Sequence, residues 1–482
     1  MGQPEPSGRR RYLVLAICCI SLFIVGIDAT IVNVALPSIQ RDLHAPVSGL
    51  QWIVDAYTLV LASLLMLSGS AGDRVGRRRT FQTGLVVFTL GSVLCSLAPA
   101  LGWLVAFRAL QAIGGSMLNP VALSIITNTF TDQAERARAI GVWGAVFGIS
   151  MALGPIGGGA IIASVGWRGI FWVNIPIGVA AIILTALFVP ESRAPRAQRP
   201  DPIGQALIII GLGSLTYAII EGPGSGWASA KVIGCLALAA TAFAGLVSYE
   251  PRRSEPLLDL RFFRSVPFSG AIVVAVCAFA ALGGFLFLNT LYLQDVRGYS
   301  ALEAGEYLLP MAAMILVFAP LSGRLVAARG SRVPTVAAGL AIAASGIMLT
   351  RLTRTTLASY LVPAYLAFGI GCGLVNPAIT NCAVSSMPRS RAGVAAAIAS
   401  TSRQVGSALG VAVMGSAVLS ALHVPLKLGF ADASHAGWWI VTGCGAAVAL
   451  LGLVTTNRWA RATAERTSSR LMATSPSMAA AP

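Results

Sequence analysis

At 482 residues, with 56% hydrophobic and only 11% charged side chains and a mean hydropathy of +0.77, the chain lies far from the balance of a soluble domain. Apolar runs of roughly 20 residues, enough to cross a bilayer core of about 30 Å, recur from end to end and exclude a soluble enzyme with a single anchor. The runs are unbroken and rich in Ala, Gly and Leu, which excludes a barrel of alternating strands.

In chain order the hydropathy places fourteen spans, at roughly 12–36, 50–70, 80–98, 102–125, 138–163, 170–190, 204–221, 229–249, 267–292, 306–327, 334–352, 357–384, 393–422 and 436–456. The net charge of +16 raises the question of nucleic acid, and its placement answers it. With the N-terminus inside, 25 of the 34 Lys and Arg fall in cytoplasmic segments and 7 outside, with Arg108 and Arg403 within spans. That asymmetry is the positive-inside pattern, so the charge reads as orientation and lipid contact, with no nucleic acid partner. Seven tryptophans, Trp52, Trp103, Trp167, Trp172, Trp227, Trp438 and Trp439, fall near expected outer boundaries, as interfacial rings should. Arg9 to Arg11 and the apolar stretch after them read as the first span, since the stretch is too long for a leader and contains Asp28.

The first span carries the sharpest signal. A carboxylate inside a span costs roughly 2.5–3.5 kcal/mol on insertion scales and is a functional candidate by default, which selects Asp28. It stands 16 residues beyond Tyr12, about 24 Å along a helix rising about 1.5 Å per residue, in the outer half of the membrane. Asp55, early in the second span, and Arg108, early in the fourth, both enter from outside, so the three charges can share one layer. Burial disfavours an ionised carboxylate and a nearby Arg favours it, and a group balanced between the two can load and release a proton. A permanent ion pair that merely holds helices together is the competing reading. Gln111 follows Arg108 by three residues, on the same helix face.

Between spans two and three lies Gly69-Ser-Ala-Gly-Asp73-Arg74-Val-Gly76-Arg77-Arg78. A degenerate copy, Gly323-Arg324 to Arg329-Gly330-Ser331-Arg332, lies between spans ten and eleven, with Ala327 in place of the acid. Two copies at equivalent loops imply two homologous six-helix halves with a substrate site between them. The organisation expected is a six-helix lobe over 1–190, a linker with two extra spans over 191–266, a second lobe over 267–456 and a disordered tail over 457–482. In the fifth span Gly141, Gly144, Gly148, Ala152, Pro155 and Gly159 recur every three or four residues and form one flat ridge for close helix packing.

Several chemistries fall away. Lys231 precedes Val232 and Lys427 precedes Leu428, so no phosphate-binding GxxxxGK[ST] loop exists and this chain does not drive pumping with ATP. His44, His423 and His435 sit in expected outer loops without metal-ligand spacing, so no metal and no cofactor is expected. With no histidine at membrane depth to serve a Ser or Cys nucleophile, the chain does not read as an enzyme. The eight cysteines all lie in spans and read as packing residues.

The motifs Asp28-Ala-Thr-Ile-Val-Asn33-Val-Ala-Leu-Pro37, Gly69 to Arg79, Arg108-Ala-Leu-Gln111, Gly154-Pro155-Ile-Gly157-Gly158, Trp167-Arg168 to Gly178 and Arg403-Gln404-Val-Gly406-Ser-Ala-Leu-Gly410 carry a resemblance. Together they resemble the major facilitator superfamily, and within it the 14-span drug:proton antiporter family. Ala112 departs from the usual Gly of the fourth-span motif, and Glu306 stands where an apolar residue is more usual. The resemblance implies an all-α integral membrane protein of 14 transmembrane helices, two six-helix lobes plus two central spans. It implies proton-coupled export of small amphipathic drugs or antibiotics across a bacterial cytoplasmic membrane, with both termini cytoplasmic. Asp28 and Arg108, with Asp55, would couple protons. Gly69, Asp73, Arg74, Gly76 and Arg77 would form a conformational latch, Asp73 meeting a helix N-terminus or a neighbouring Arg. Gly144, Gly148, Gly154, Pro155 and Gly158 would form the antiporter motif that limits leak. Asn33, Tyr57, Gln111, Asn289 and Arg403, with Glu306 on the outer rim, are candidates to line the substrate path, and each can equally be a packing polar group. A monomer whose partners are a small molecule, protons and lipid is expected. Export of one endogenous metabolite and a non-transporting membrane sensor remain the alternatives.

Overall fold

The computed structural model describes residues 8–194, 201–253, 256–388 and 391–473. Helices account for nearly all of it, because a backbone in hydrocarbon must satisfy its own N–H and C=O groups and the helix does so within one segment. Thirteen helices among the described residues are long and apolar enough to cross a membrane. Helix α3 (Arg77–Ser96), 20 residues long, falls below that hydropathy because of Arg77 to Arg79 and its run of Thr and Ser, and completes the fourteen read from the sequence.

By their contacts the helices form two compact units. The first, Met1–Gln205 with Gly298–Leu309, holds α1 (Gly8–Leu43), α2 (Val47–Val75), α3, α4 (Leu101–Thr129), α5 (Gln133–Val165), α6 (Gly169–Trp172), α7 (Asn174–Phe188) and α11 (Ala301–Tyr307). The second, Ala206–Arg297 with Pro310–Pro482, holds α8 (Pro202–Ser225), α9 (Ala230–Tyr249), α10 (Val266–Leu291), α12 (Leu309–Arg329), α13 (Arg332–Leu349), α14 (Ala358–Ser385), α15 (Ala392–Ala421), α16 (Leu426–Val454) and α17 (Arg458–Ala473).

Small residues set the helix pairs in both units. In the first, a Cβ at Gly91 of α3 would stand 2.6 Å from the Cα of Gln111 on α4, so α3 and α4 touch backbone to backbone there. Around that seam pack Phe81, Leu85, Phe88, Leu118 and Ile125, all buried. In the second, Gly406 and Gly410 of α15 lie against the backbone of Val276 and Ala280 on α10, and Gly445 of α16 lies against Ala343 of α13. The duplicated loop survives in backbone geometry: α2 passes to α3 through Gly76 at φ 129°, and α12 to α13 through Gly330 at φ 74°. Both turns need the left-handed freedom that glycine has and other residues lack.

The structure corrects three expectations. The tail was expected to be disordered from 457, yet Arg458–Ala473 is the helix α17, whose Ala460, Thr467 and Leu471 are buried on one face while Thr463 Oγ1 accepts from the amide of Val266 at the start of α10. Residues 474–482 and the middle of the 191–203 linker, 195–200, lie outside the described residues. Helix α16 begins at Leu426, well before the expected 436, so His435 is helical and its Nε2 meets the carbonyl of Leu352 at 2.9 Å. The glycine ridge of α5 is close-packed at one end only: Pro155 and Gly159 meet the backbone of α11, whereas a Cβ at Gly141 or Gly144 would meet nothing within 4 Å.

Candidate functional site

The charges of the first unit meet where α1, α3, α4 and α7 converge. Arg108 donates through Nη1 to Asp28 Oδ2 at 2.5 Å and to Gln111 Oε1 at 2.6 Å, three residues along its own helix. Gln111 Nε2 donates to Asp28 Oδ1 at 2.8 Å and to Ser92 Oγ at 2.7 Å. Asn174 Nδ2 repeats both bonds from α7, at 3.0 Å to Asp28 Oδ1 and 3.2 Å to Ser92 Oγ. Asp28 thus accepts from three side chains on two other helices. The Arg108 guanidinium is closed on another side by the Tyr57 ring, 4.1 Å from its centroid, and reaches the carbonyl of Ile53 on α2 at 3.4 Å through Nε. Asp28 is 0% exposed and Arg108 2%, so the pair is shielded from solvent. A buried pair of this kind survives only when its remaining valences are hydrogen-bonded, which Gln111, Ser92 and Asn174 accomplish.

The close α3–α4 seam makes this geometry possible. Gly91 brings the α3 backbone onto Gln111, and the next residue, Ser92, is then within reach of both amides.

A model of the Major Facilitator Superfamily matches residues 18–411, most of the chain. The chain belongs to that superfamily. It is 38% identical over 419 residues to the multidrug resistance protein Stp of Mycobacterium tuberculosis (strain CDC 1551 / Oshkosh), a match covering 87% of this chain and 78% of that protein. It is 37% identical over 416 residues to the tetracenomycin C resistance and export protein of Streptomyces glaucescens, covering 86% and 76%, and 36% identical over 418 residues to the puromycin resistance protein pur8 of Streptomyces alboniger, covering 86% and 82%. Among solved structures it shares its fold with a bacterial homologue of the human lysosomal transporter Spinster, with a TM-score of 0.63, 18% identity and coverage of 96% of this chain and 98% of that one.

The other motif residues of this superfamily member occupy distinct places. Asp55 does not join the Asp28–Arg108 cluster: it is 0% exposed, and neither carboxylate oxygen has a hydrogen-bond partner among the described residues. Ile53 and Tyr57, two residues to either side of Asp55, both touch the Arg108 guanidinium, so Asp55 stands beside the cluster without a hydrogen bond to it. Asp73 does not meet a helix N-terminus. Its Oδ1 accepts from Arg77 Nη2 at 2.9 Å and Nε at 3.1 Å, one turn along the chain. The N-terminus of α3 is occupied by Glu191 from the linker, whose Oε1 accepts from the amide of Arg78 at 3.1 Å and whose Oε2 accepts from the amide of Arg79 at 3.2 Å. Gly76 leaves the room: a Cβ there would stand 2.6 Å from Glu191 Oε1. Arg74 is exposed. A carboxylate on a helix N-terminus is worth about 0.3–2 kcal/mol. Glu191→Gln is therefore expected to lower stability by about 1 kcal/mol. The thermal midpoint of the purified protein in detergent checks this, and an unchanged midpoint would contradict the cap.

In α5, Gly154 packs on Thr30 and Gly158 on Ile31 of α1, while Pro155 meets α11 through Gly305. Gly144 borders open space, and Gly148 is half-buried. Among the substrate candidates, Gln111 belongs to the Asp28 cluster and Tyr57 covers Arg108. Asn33 is buried and donates within its own helix to Ala29. Asn289 accepts from the Tyr365 hydroxyl. Glu306 is exposed on α11, and Arg403 is half-buried on α15. Sequence reasoning did not single out Ser92, Asn174 or Glu191. Asn174 lay inside a quoted motif. Ser92 and Glu191 carry no signal of their own, since their roles arise from helix contacts and chain return.

Proposed function

We propose that the chain is a proton-coupled antiporter that exports small amphipathic molecules of the drug or antibiotic kind. The observation that carries the proposal is two carboxylates buried at 0% exposure in one helical unit, one fully donated to and the other without a donor. Asp28 is held by Arg108, Gln111 and Asn174. An ionised Asp55 in the same surroundings would cost several kcal/mol uncompensated, so it carries the proton in this state. Alternating access would then exchange protonation at these sites for substrate. A membrane potential of about 100 mV supplies about 2.3 kcal/mol per proton, enough for roughly 50-fold accumulation.

The relatives named for multidrug and antibiotic resistance support drug export on this scaffold. The relative named for resistance to, and export of, tetracenomycin C supports the second reading, a pump dedicated to one metabolite. On either reading the protein acts as a transporter and not as an enzyme, as a monomer in a bacterial cytoplasmic membrane with both termini inside. Two six-helix lobes over 1–190 and 267–456 flank the 191–266 segment and its two extra spans. Gly69 to Arg77 with Glu191 serves as the latch, and Gly154, Pro155 and Gly158 as the tight contact that limits leak.

The test is ethidium accumulation in cells expressing the wild type or Asp55→Asn, with and without a protonophore. The wild type should hold ethidium several-fold below vector-only cells, the protonophore should abolish the difference, and Asp55→Asn should lose most of it. Equal accumulation in wild-type and vector-only cells would refute broad drug export and favour the dedicated pump. Full activity of Asp55→Asn would remove Asp55 from coupling.

A further inference from the structure

Arg403 stands within the 30-residue helix α15, in the membrane-spanning part of the second unit. Among the described residues it forms no ion pair. Its Nη1 donates to Thr380 Oγ1 of α14 at 3.3 Å, and its guanidinium carbon lies 6.0 Å from the centroid of the Phe279 ring on α10. One turn before Thr380 on the same face of α14, Asn376 Oδ1 is buried with no hydrogen-bond partner among the described residues. The guanidinium has five donor hydrogens in a planar fork and uses one of them in a long bond to a neutral hydroxyl. Arg108 is the internal comparison: also within a membrane-spanning helix, it has a carboxylate at 2.5 Å and an amide oxygen at 2.6 Å.

Three features distinguish Arg403 from a packing residue. It is half-buried, so the unspent donors remain reachable. It is held in place, because Gly406, one turn on, lies against the backbone of Val276 and fixes α15 on α10. An aromatic ring and polar groups of two other helices converge on it. A cation in a membrane span without a counter-charge is costly, and functional sites are where such a cost is retained. Guanidinium suits planar carboxylates through paired N–H bonds, and the flanking ring suits a flat apolar body.

Building on the export reading above, we propose that Arg403, Thr380, Asn376 and Phe279 form an anion-recognition point in the second unit, used by those amphipathic substrates whose planar aromatic body carries a carboxylate or an ionised enol or phenol, while cations such as ethidium do not engage it. The guanidinium takes the negative oxygens, Phe279 lies along the ring, and Asn376 Oδ1 accepts from a substrate hydroxyl or amide. Such a site also explains why the arginine has no carboxylate partner among the described residues, since a resident carboxylate would compete with the substrate.

The test uses full-length protein purified in detergent and two probes of the same body and opposite charge, naphthalene-2-carboxylate and 2-naphthylmethylammonium, titrated calorimetrically. The wild type should bind the carboxylate at least tenfold more tightly than the ammonium. Arg403→Gln should weaken the carboxylate tenfold or more and bind the ammonium equally or better, because repulsion is removed. Arg403→Lys should retain part of the carboxylate affinity, losing the paired geometry and keeping the charge. Thr380→Val, at an exposed position, should cost the carboxylate a few-fold and guards against a misfolded Arg403 variant. Equal binding of the two probes by the wild type, or carboxylate binding unaltered in Arg403→Gln, overturns the proposal. Since binding is read without a proton gradient, flat titrations leave the ethidium result untouched, and a failed ethidium assay leaves the titrations interpretable.

Discussion

Asp28→Asn is expected to abolish proton-driven ethidium efflux and to destabilise the protein, and the two losses separate in a double variant. Removing one member of a buried, hydrogen-bonded ion pair leaves the other charged in apolar surroundings, at a cost of about 3–5 kcal/mol. Arg108 has no second carboxylate to turn to: its other contacts are Gln111 Oε1, the Ile53 carbonyl and the Tyr57 ring. Asn at 28 can still accept from Gln111 and Asn174, so the amide network persists around an uncompensated guanidinium. Adding Arg108→Gln removes that charge, and the double variant should recover most of the lost stability. It should not recover efflux, because no group is left at this position whose charge changes on protonation. Detergent-solubilised melting and protonophore-sensitive efflux, measured on both singles and the double, check this. Efflux restored in the double variant would mean that the pair is purely structural, and stability unchanged in Asp28→Asn would mean that water reaches Arg108.

Gly159→Leu and Gly305→Val are expected to impair assembly of the first unit, whereas Gly144→Ala should be neutral. A Cβ at Gly159 would lie 2.5 Å from the carbonyl oxygen of Ala301 and 2.6 Å from the Cα of Leu302, and a Cβ at Gly305 would lie 2.5 Å from the carbonyl oxygen of Pro155. The obstacles are backbone atoms on both sides, so no side-chain rotation relieves them and α5 must move off α11. Overpacking of this kind costs about 1–3 kcal/mol, and more where a whole helix pair must part. Recovery of monodisperse protein on gel filtration, together with its thermal midpoint, reads the effect. Wild-type behaviour of Gly159→Leu would show that this helix contact contributes nothing to folding. At Gly144, where a Cβ meets nothing within 4 Å, alanine should leave stability unchanged or raise it by up to about 1 kcal/mol through helix propensity, with the midpoint unchanged or higher.

The spans were legible because hydrocarbon leaves a chain one economical option, and runs of about 20 apolar residues state it openly. Asp28 and Arg108 were legible for the same reason, as charges where charge is expensive. That they form a pair could be inferred from depth. That Asp55 makes no bond to them could not, since depth says nothing about which side of a helix faces which neighbour. Ser92 is a serine like many others until Gly91 draws α3 onto α4. Glu191 reads as the first polar residue after a span, and only the return of the chain past Gly76 makes it the cap of α3. The helical tail was misread because its composition, rich in Arg, Ser and Thr, resembles disorder, while the apolar residues that dock it, Ala460 and Leu471, are too few to register.

That docking bears on how the protein is made. The amide of Val266 at the head of α10 finds its partner in Thr463, and the carbonyl of Ile219 on α8 finds its partner in Ser416, each 197 residues later. At a synthesis rate of about 5–20 residues per second, both groups emerge roughly 10–40 s before the oxygens that satisfy them. These two bonds of the second unit therefore form only once α15 and α17 have been made, after α8 and α10. A ribosome that stops short of residue 463 leaves behind a nearly full set of spans whose ninth lacks the partner of its first amide.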